Sequence, residues 1–193
     1  MARPTDETKL LAIKKAAMQV VVEQGISGAS ISQIAKKAKV SDGYLYRFYK
    51  GKRELLEALF LERSQGTYDM LQQQMAVHKT AAELIRAFIV KVFASAANET
   101  EAICFYHKLL NDFSFEIPEE NRKGIIELCE QILELGKSNG EIRAAITPEQ
   151  FFAIVIGGTL QFVNIRLRKI FSGSVFTRDD IEQHITTTLK ALE

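Results

Sequence analysis

A chain of 193 residues, 47% apolar and 25% charged, has the composition of an ordinary soluble globule and the length for one domain or two small ones. No run approaches the roughly 18 uninterrupted apolar residues of a membrane span, and the N-terminus lacks a signal-peptide core, so cytoplasmic residence without a membrane is expected. The net charge of +1 hides a split: residues 1–60 carry 11 Lys and Arg against 6 Asp and Glu, a footprint that favours a polyanionic partner.

In chain order, residues 1–4 read as a frayed arm in which Arg3 is a candidate phosphate contact. Thr5-Asp6-Glu7 caps and charges the start of a helix reaching Gln24, with Leu10, Ile13, Ala17, Val20 and Val21 facing inward. Gly25 takes the C-terminal glycine position. After a loop over 26–29, Ser30 caps a second helix, and Gln33 completes the capping-box spacing. Ile34, Ala35 and Ala38 form its apolar stripe. Lys39-Val40-Ser41 is a tight turn, with Ser41 as the cap of a third helix over 42–49. This is the layout of a helix-turn-helix, whose second helix enters the DNA major groove. Asp42, Gly43 and Tyr44 open that helix, placed to meet base edges; Gly43 allows close approach and the Tyr44 ring suits a thymine methyl. Arg47, one turn on, suits guanine or a phosphate. Ser30 and Ser32 offer hydroxyls or amides to phosphate from the preceding helix start, and Ser41 is grouped with them.

The run Gly43-Tyr44-Leu45-Tyr46-Arg47-Phe48-Tyr49-Lys50-Gly51-Lys52, followed by Leu55-Leu56, resembles the TetR-family signature G-x-L-Y-x-[HYF]-F-x-[SGN]-K. Ile34-Ala35 and Ala38-x-Val40-Ser41 match as well. The resemblance covers about residues 8–60 and is specific, because several fixed spacings agree at once. It implies a homodimer reading a palindromic operator in double-stranded DNA, and it assigns Tyr46 and Lys52 to positions that usually hold DNA phosphates. One departure concerns the turn: the family commonly has Gly where this chain has Lys39, which carries a steric cost if that backbone is left-handed.

A fourth helix runs over 52–74, with Leu55, Leu56, Leu59, Phe60, Met70 and Leu71 inward and Gly66 as a weak point. No Pro/Gly linker follows the reading module, so the two parts are expected to be coupled through this helix. Amphipathic helices follow over 80–98, 99–112 and 118–139. Thr147-Pro148-Glu149 starts a long helix to about Phe171 that is apolar nearly all round, a sign of burial on more than one side. Ser172-Gly173 breaks it, and Thr177-x-x-Asp180 caps a last helix. One chain cannot cover the long helix alone, so the last two helices are expected to pair with their mates as a four-helix bundle, as the resemblance also implies. The candidate contacts are Phe151, Gly158, Phe162, Ile165, Ile181, Ile185 and Thr188.

Large aromatic side chains on the middle helices, Phe88, Phe93, Phe105, Phe113 and Phe152, accompany the polar His107, Gln161, Asn164 and Arg166 on otherwise apolar elements. Buried polar groups need partners, and a ligand in an apolar cleft is one way to supply them. These nine residues are the candidate pocket for a small hydrophobic effector. Cys104-x-x-His107 with Glu101 shares a helical face, but three ligands on one helix seldom close a metal site. Cys104 and Cys129 fit no disulfide framework, and no catalytic or phosphate-cradling motif occurs, so no metal, cofactor or enzymatic activity is expected. The reading is an all-α protein of about nine helices, with a DNA-binding domain over 1–51 and a ligand-binding and dimerisation domain over 52–193. Its function is that of a transcriptional regulator, a repressor released by its effector. The alternatives are an effector-independent or architectural DNA-binder and a helical enzyme retaining the module.

Overall fold

The computed structural model describes residues 6–171, 173 and 176–193. The expectations for Arg3, the Thr5 cap and Ser172 lie outside the described residues. Within them are nine helices and no strand, the all-α architecture anticipated from the pattern. The chain divides into two compact units, one ending at Arg63 but joined by Cys104–Pro118, the other made of Ser64–Ile103 and Glu119–Glu193. This differs from the expected division after residue 51.

The first unit is built on α1 (Asp6–Gly28), α2 (Ile31–Ala38) and α3 (Asp42–Leu45), with the start of α4 (Lys52–Met75) and the end of α6 (Thr100–Asn111). Ile13, Val20, Ile34, Ala35 and Leu45 share one buried core with Leu55, Leu56, Leu59 and Phe60 of α4 and Phe105 and Leu109 of α6. That shared burial is why the unit extends past residue 51. The Phe60 ring stacks on Tyr106 at 4.8 Å and tilts against Phe115 at 5.4 Å. α1 is interrupted at Gly25, whose φ of 80° and ψ of 169° suit glycine alone. α2 opens with the anticipated capping box: the Ser30 hydroxyl accepts from the Gln33 N–H, and the Gln33 side chain accepts from the Ser30 N–H.

Lys39 closes α2 in the left-handed region at φ 57°, its N–H donating to the Ala35 and Lys36 carbonyls. A residue with a Cβ is strained there. Lys39→Gly is therefore expected to stabilise the protein by about 1 kcal/mol, raising Tm by about 2–4 °C in a thermal melt. An unchanged or lowered Tm would mean that the turn carries no such strain. α3 is shorter than expected. The α-helix ends at Leu45, and the chain continues in tighter turns, with Arg47 N–H on the Tyr44 carbonyl at 3.3 Å and Phe48 N–H on Leu45 at 3.0 Å. A run of aromatic residues favours helix poorly, and Tyr49 packs back against the core.

The second unit holds the rest of α4, α5 (Ala81–Asn98), α7 (Glu119–Ser138), α8 (Pro148–Leu167) and α9 (Arg178–Leu192). α5 buries Leu84, Ile85, Phe88, Ile89, Val92 and Phe93. α8 starts with a Thr147–Gln150 capping box and passes through a π-helical stretch, Phe152–Gly157; such wide turns are frequent at functional sites. It ends at Leu167, earlier than expected, because Lys169 turns left-handed at φ 55° and the Ile170 N–H closes on the Ile165 carbonyl at 3.2 Å. The length and mean hydropathy of α8, 1.3, would also suit a membrane span, yet only 28% of it is buried within this chain.

Three of the expected dimer contacts are accounted for within the chain. Phe151, Ile185 and Thr188 are buried in the second unit's own core, so their burial is already accounted for in the monomer. Phe162 stacks on His184 at 4.7 Å and tilts against Phe93 at 5.9 Å. Gly158, Ile165 and Ile181 remain half-exposed.

Candidate functional site

The reading head is assembled by the two side-chain caps that orient α2 and α3. Ser41 accepts from the Tyr44 N–H at 3.2 Å, which fixes where the third helix begins. The side chains this leaves in solvent are Tyr46, 54% exposed, Arg47 and Phe48, 37% exposed. The Arg47 guanidinium lies 5.4 Å from the Tyr44 ring centroid and 5.9 Å from that of Phe48, so two aromatic faces hold the cation in place. Gly43 is exposed, and a Cβ built on it meets nothing within 4 Å; its own chain does not require glycine there. Exposed lysines, Lys36, Lys39 and Lys50, lie on the same stretch.

Several of the expected DNA-contacting groups are engaged within the protein instead. The Tyr44 hydroxyl donates to Asp6 Oδ1 at 2.8 Å, and the Lys9 ammonium lies 4.9 Å from its ring centroid. Tyr44 thus ties the third helix to the first, instead of presenting a free ring to a thymine methyl. Burial and the Asp6 carboxylate both raise its phenol above the ordinary value. The Ser30 and Ser41 hydroxyls are spent as caps. Ser32 donates to the Asp42 carboxylate, which sets an anion at the start of α3 where only a base-edge donor, such as cytosine N4, would be welcome. Lys52 departs furthest from expectation. Its ammonium donates to the carbonyls of Ile26 at 2.7 Å and Ala29 at 2.8 Å in a part-buried setting. It clamps the connection between α1 and α2 with two of its three donors.

Among the described residues, the nine candidate pocket residues do not line one cavity. Phe105, His107 and Phe113 belong to the first unit; Phe105 is buried in the reading head's core, and Phe113 is fully exposed. In the second unit, Gln161 is exposed, and Arg166 pairs with Asp180 through two N–H···O contacts of 2.9 and 3.2 Å while its Nε donates to the Gly173 carbonyl. The arginine, with the Thr177 cap, holds the Asp180 carboxyl far below the usual range. Phe93 packs against Phe162, His184 and Phe176, and Phe152 and Asn164 are half-exposed. Of the nine, Phe88 borders a small apolar void of the unit, which Leu71, Leu84, Ile85, Leu128, Cys129, Ile132, Phe151, Val155 and Ile156 complete. Its volume is about 10 Å³, the threshold for a single water and far below a ligand pocket. Aromatic spacing reported which faces are apolar but not which neighbours fill them.

Burial pushes the Cys129 thiol beside that void up to about 12, which keeps it protonated and unreactive. Glu101 falls in the second unit while Cys104 and His107 fall in the first. Among the described residues no three His, Cys, Asp or Glu side chains are grouped to hold a metal.

Residues 13–59 match the family model for bacterial regulatory proteins of the tetR family. The chain is 28% identical over 141 residues to the fatty acid metabolism regulator protein of Bacillus subtilis (strain 168), an overlap of 72% of this chain and 73% of that protein. A TetR family transcription regulator from Marinobacter aquaeolei VT8 superposes with a TM-score of 0.80 at 23% identity, over 97% of this chain and 96% of that one. The transcriptional regulator FadR from Bacillus subtilis, in complex with stearoyl-CoA, gives a TM-score of 0.74 at 24% identity, over 95% and 97% respectively. These two structures share the fold.

Proposed function

We propose that this chain, which belongs to the tetR family of bacterial regulatory proteins, is a homodimeric repressor that leaves a palindromic operator when an acyl-bearing effector enters its second unit. The observation that carries the DNA-binding part is the capped helix-turn-helix with Tyr46, Arg47 and Phe48 exposed beside the lysines of the same stretch. Phosphate contacts supply affinity, while Arg47, held between two rings, is the side chain suited to a base edge. One reading head offers few contacts, and a two-fold dimer brings two to an inverted repeat. The sparsely covered α8 supports a partner chain on that face, in the cytoplasm, where the DNA is. The function is that of a regulator, not of an enzyme.

The acyl-bearing effector is supported by the relative concerned with fatty acid metabolism and by the neighbour bound to stearoyl-CoA. α4 starts in one unit and ends in the other, so a change in the second unit is carried by a continuous helix to the first. An effector that binds the two states unequally would then shift the affinity for DNA. The near-closed void favours a second reading, a DNA-binder indifferent to any effector.

Selection of bound DNA from a random pool tests both. An enriched inverted repeat is expected, released by micromolar stearoyl-CoA; enrichment without release leaves the effector-independent binder, and no enrichment overturns the proposal. On the selected site, Arg47→Ala is expected to cost about 1–3 kcal/mol and to relax preference at one position of each half-site. An equal loss on all sequences would make Arg47 a phosphate contact instead.

A further inference from the structure

Asn121 sits in the first turn of α7 and is 6% exposed. Among the described residues, its Oδ1 is the buried side-chain nitrogen or oxygen atom with no hydrogen-bond partner. A buried acceptor left in this state forfeits its hydration for nothing, and such atoms are rare in folded proteins. Residues 7, 8 and 11 positions further along α7 are Leu128, Cys129 and Ile132, which border the apolar void. At 3.6 residues per turn these positions share the face of Asn121, and at 1.5 Å per residue Leu128 lies about 10 Å further along the helix axis. One face of α7 therefore carries a lone acceptor at its N-terminal end and a purely apolar seam two turns below. On the far side of that seam, Val155 and Ile156 come from the π-helical stretch of α8, a segment whose backbone is already displaced from regular packing.

Resting on the effector reading above, we infer that the effector lays an alkyl chain along this face of α7, parting the seam at the void, and that its polar end donates an N–H or O–H to Asn121 Oδ1. The ligand class is then an acyl chain joined to a neutral donor group, such as a secondary amide or a hydroxyl. A free carboxylate is disfavoured, because it brings no proton to Oδ1. A site that holds a buried acceptor discriminates against ligands lacking the donor, because they leave the acceptor desolvated and unpaired.

The test uses the full chain and two neutral probes with the same twelve-carbon tail, N-methyldodecanamide, which has an N–H, and N,N-dimethyldodecanamide, which has none. Calorimetric titration is expected to give about tenfold tighter binding of the N–H probe. In Asn121→Leu the ratio is expected to fall to about one with the dimethyl probe unaffected, and the unliganded variant to melt no lower than the parent. Equal binding of the two probes by the parent protein overturns the inference while leaving the effector reading intact, and that comparison stands even if the variant does not fold. A lowered Tm in Asn121→Leu with no change in ratio identifies a structural amide satisfied by buried water, which also overturns it. If neither amide binds and stearoyl-CoA fails to release the operator, the effector reading itself is lost, and this inference with it.

Discussion

A Gly158→Arg variant is expected to fold, to sediment as a monomer at micromolar concentration, and to bind operator DNA at least a hundredfold more weakly than the parent. Gly158 lies on α8, and a Cβ built there meets nothing nearer than the Ala153 carbonyl oxygen at 3.6 Å, an ordinary contact. Within its own chain, then, the position accepts a side chain. Replacing glycine inside a helix by arginine even improves helix propensity, by about 0.8 kcal/mol. The cost falls on whatever covers this face. Ala153, Gly157, Gly158, Gln161 and Ile165 recur at helical spacing and are all exposed or half-exposed, so a partner helix would approach closely over the two glycines. In the proposed dimer a cationic side chain there would collide with the partner helix, and if the two-fold axis passes beside Gly158 it would also meet its own mate, both desolvated; like charges so placed cost several kcal/mol. Splitting the dimer forfeits the linkage of two reading heads, which alone is worth about 10²–10⁴ in affinity. A variant that remains dimeric by light scattering would move the interface elsewhere. Recovery of the parent protein with the membrane fraction would assign the apolar α8 to lipid.

What was legible in the sequence and what was not divide along physical lines. Caps are local chemistry, so Ser30 with Gln33, Thr177 with Asp180 and the start at Thr147 could be read directly; the first two are capping boxes in the structure, and Thr147 forms one with Gln150, which the spacing did not single out. The break at Gly25 and the strained turn at Lys39 were visible for the same reason. The division into units was not. α4 and α6 keep one amphipathic pattern through the boundary, and nothing in the spacing of Phe105 says that it fills the core under the reading head. The pocket failed for a related reason. Arg166 on an apolar helix reads as an unpaired polar group, but its partner Asp180 is 14 residues further on, and spacing alone does not say that the two meet. Phe48 and the lysines around the turn were passed over as individuals, although the charge excess of the N-terminal segment was their signal. Asn121 carried no signal at all, since its significance lies in burial.

Lys52→Met is expected to act on folding before it acts on DNA, lowering stability by about 2–3 kcal/mol and Tm by about 4–12 °C. The family resemblance would have this lysine hold a phosphate, and its loss would then lower the salt slope of DNA binding by about one without altering stability. The geometry weighs the other way. The ammonium donates to the carbonyls of both Ile26 and Ala29, which leave α1 where Gly25 interrupts it and lead into the Ser30 cap. Hydrogen bonds from a charged donor contribute about 1.5–3 kcal/mol, more than neutral ones, and a truncated donor leaves both carbonyls unpaired in part-buried surroundings. Methionine keeps the length and apolar stem of lysine, so lost packing does not confuse the comparison. An ammonium has three donors, and with two used one remains for a phosphate. A small change in salt slope alongside the fall in Tm is therefore compatible with the clamp. An unchanged Tm with the slope reduced by a full unit would make Lys52 a phosphate contact and the clamp incidental. The residue that begins the connecting helix thus also ties down the connection between α1 and α2.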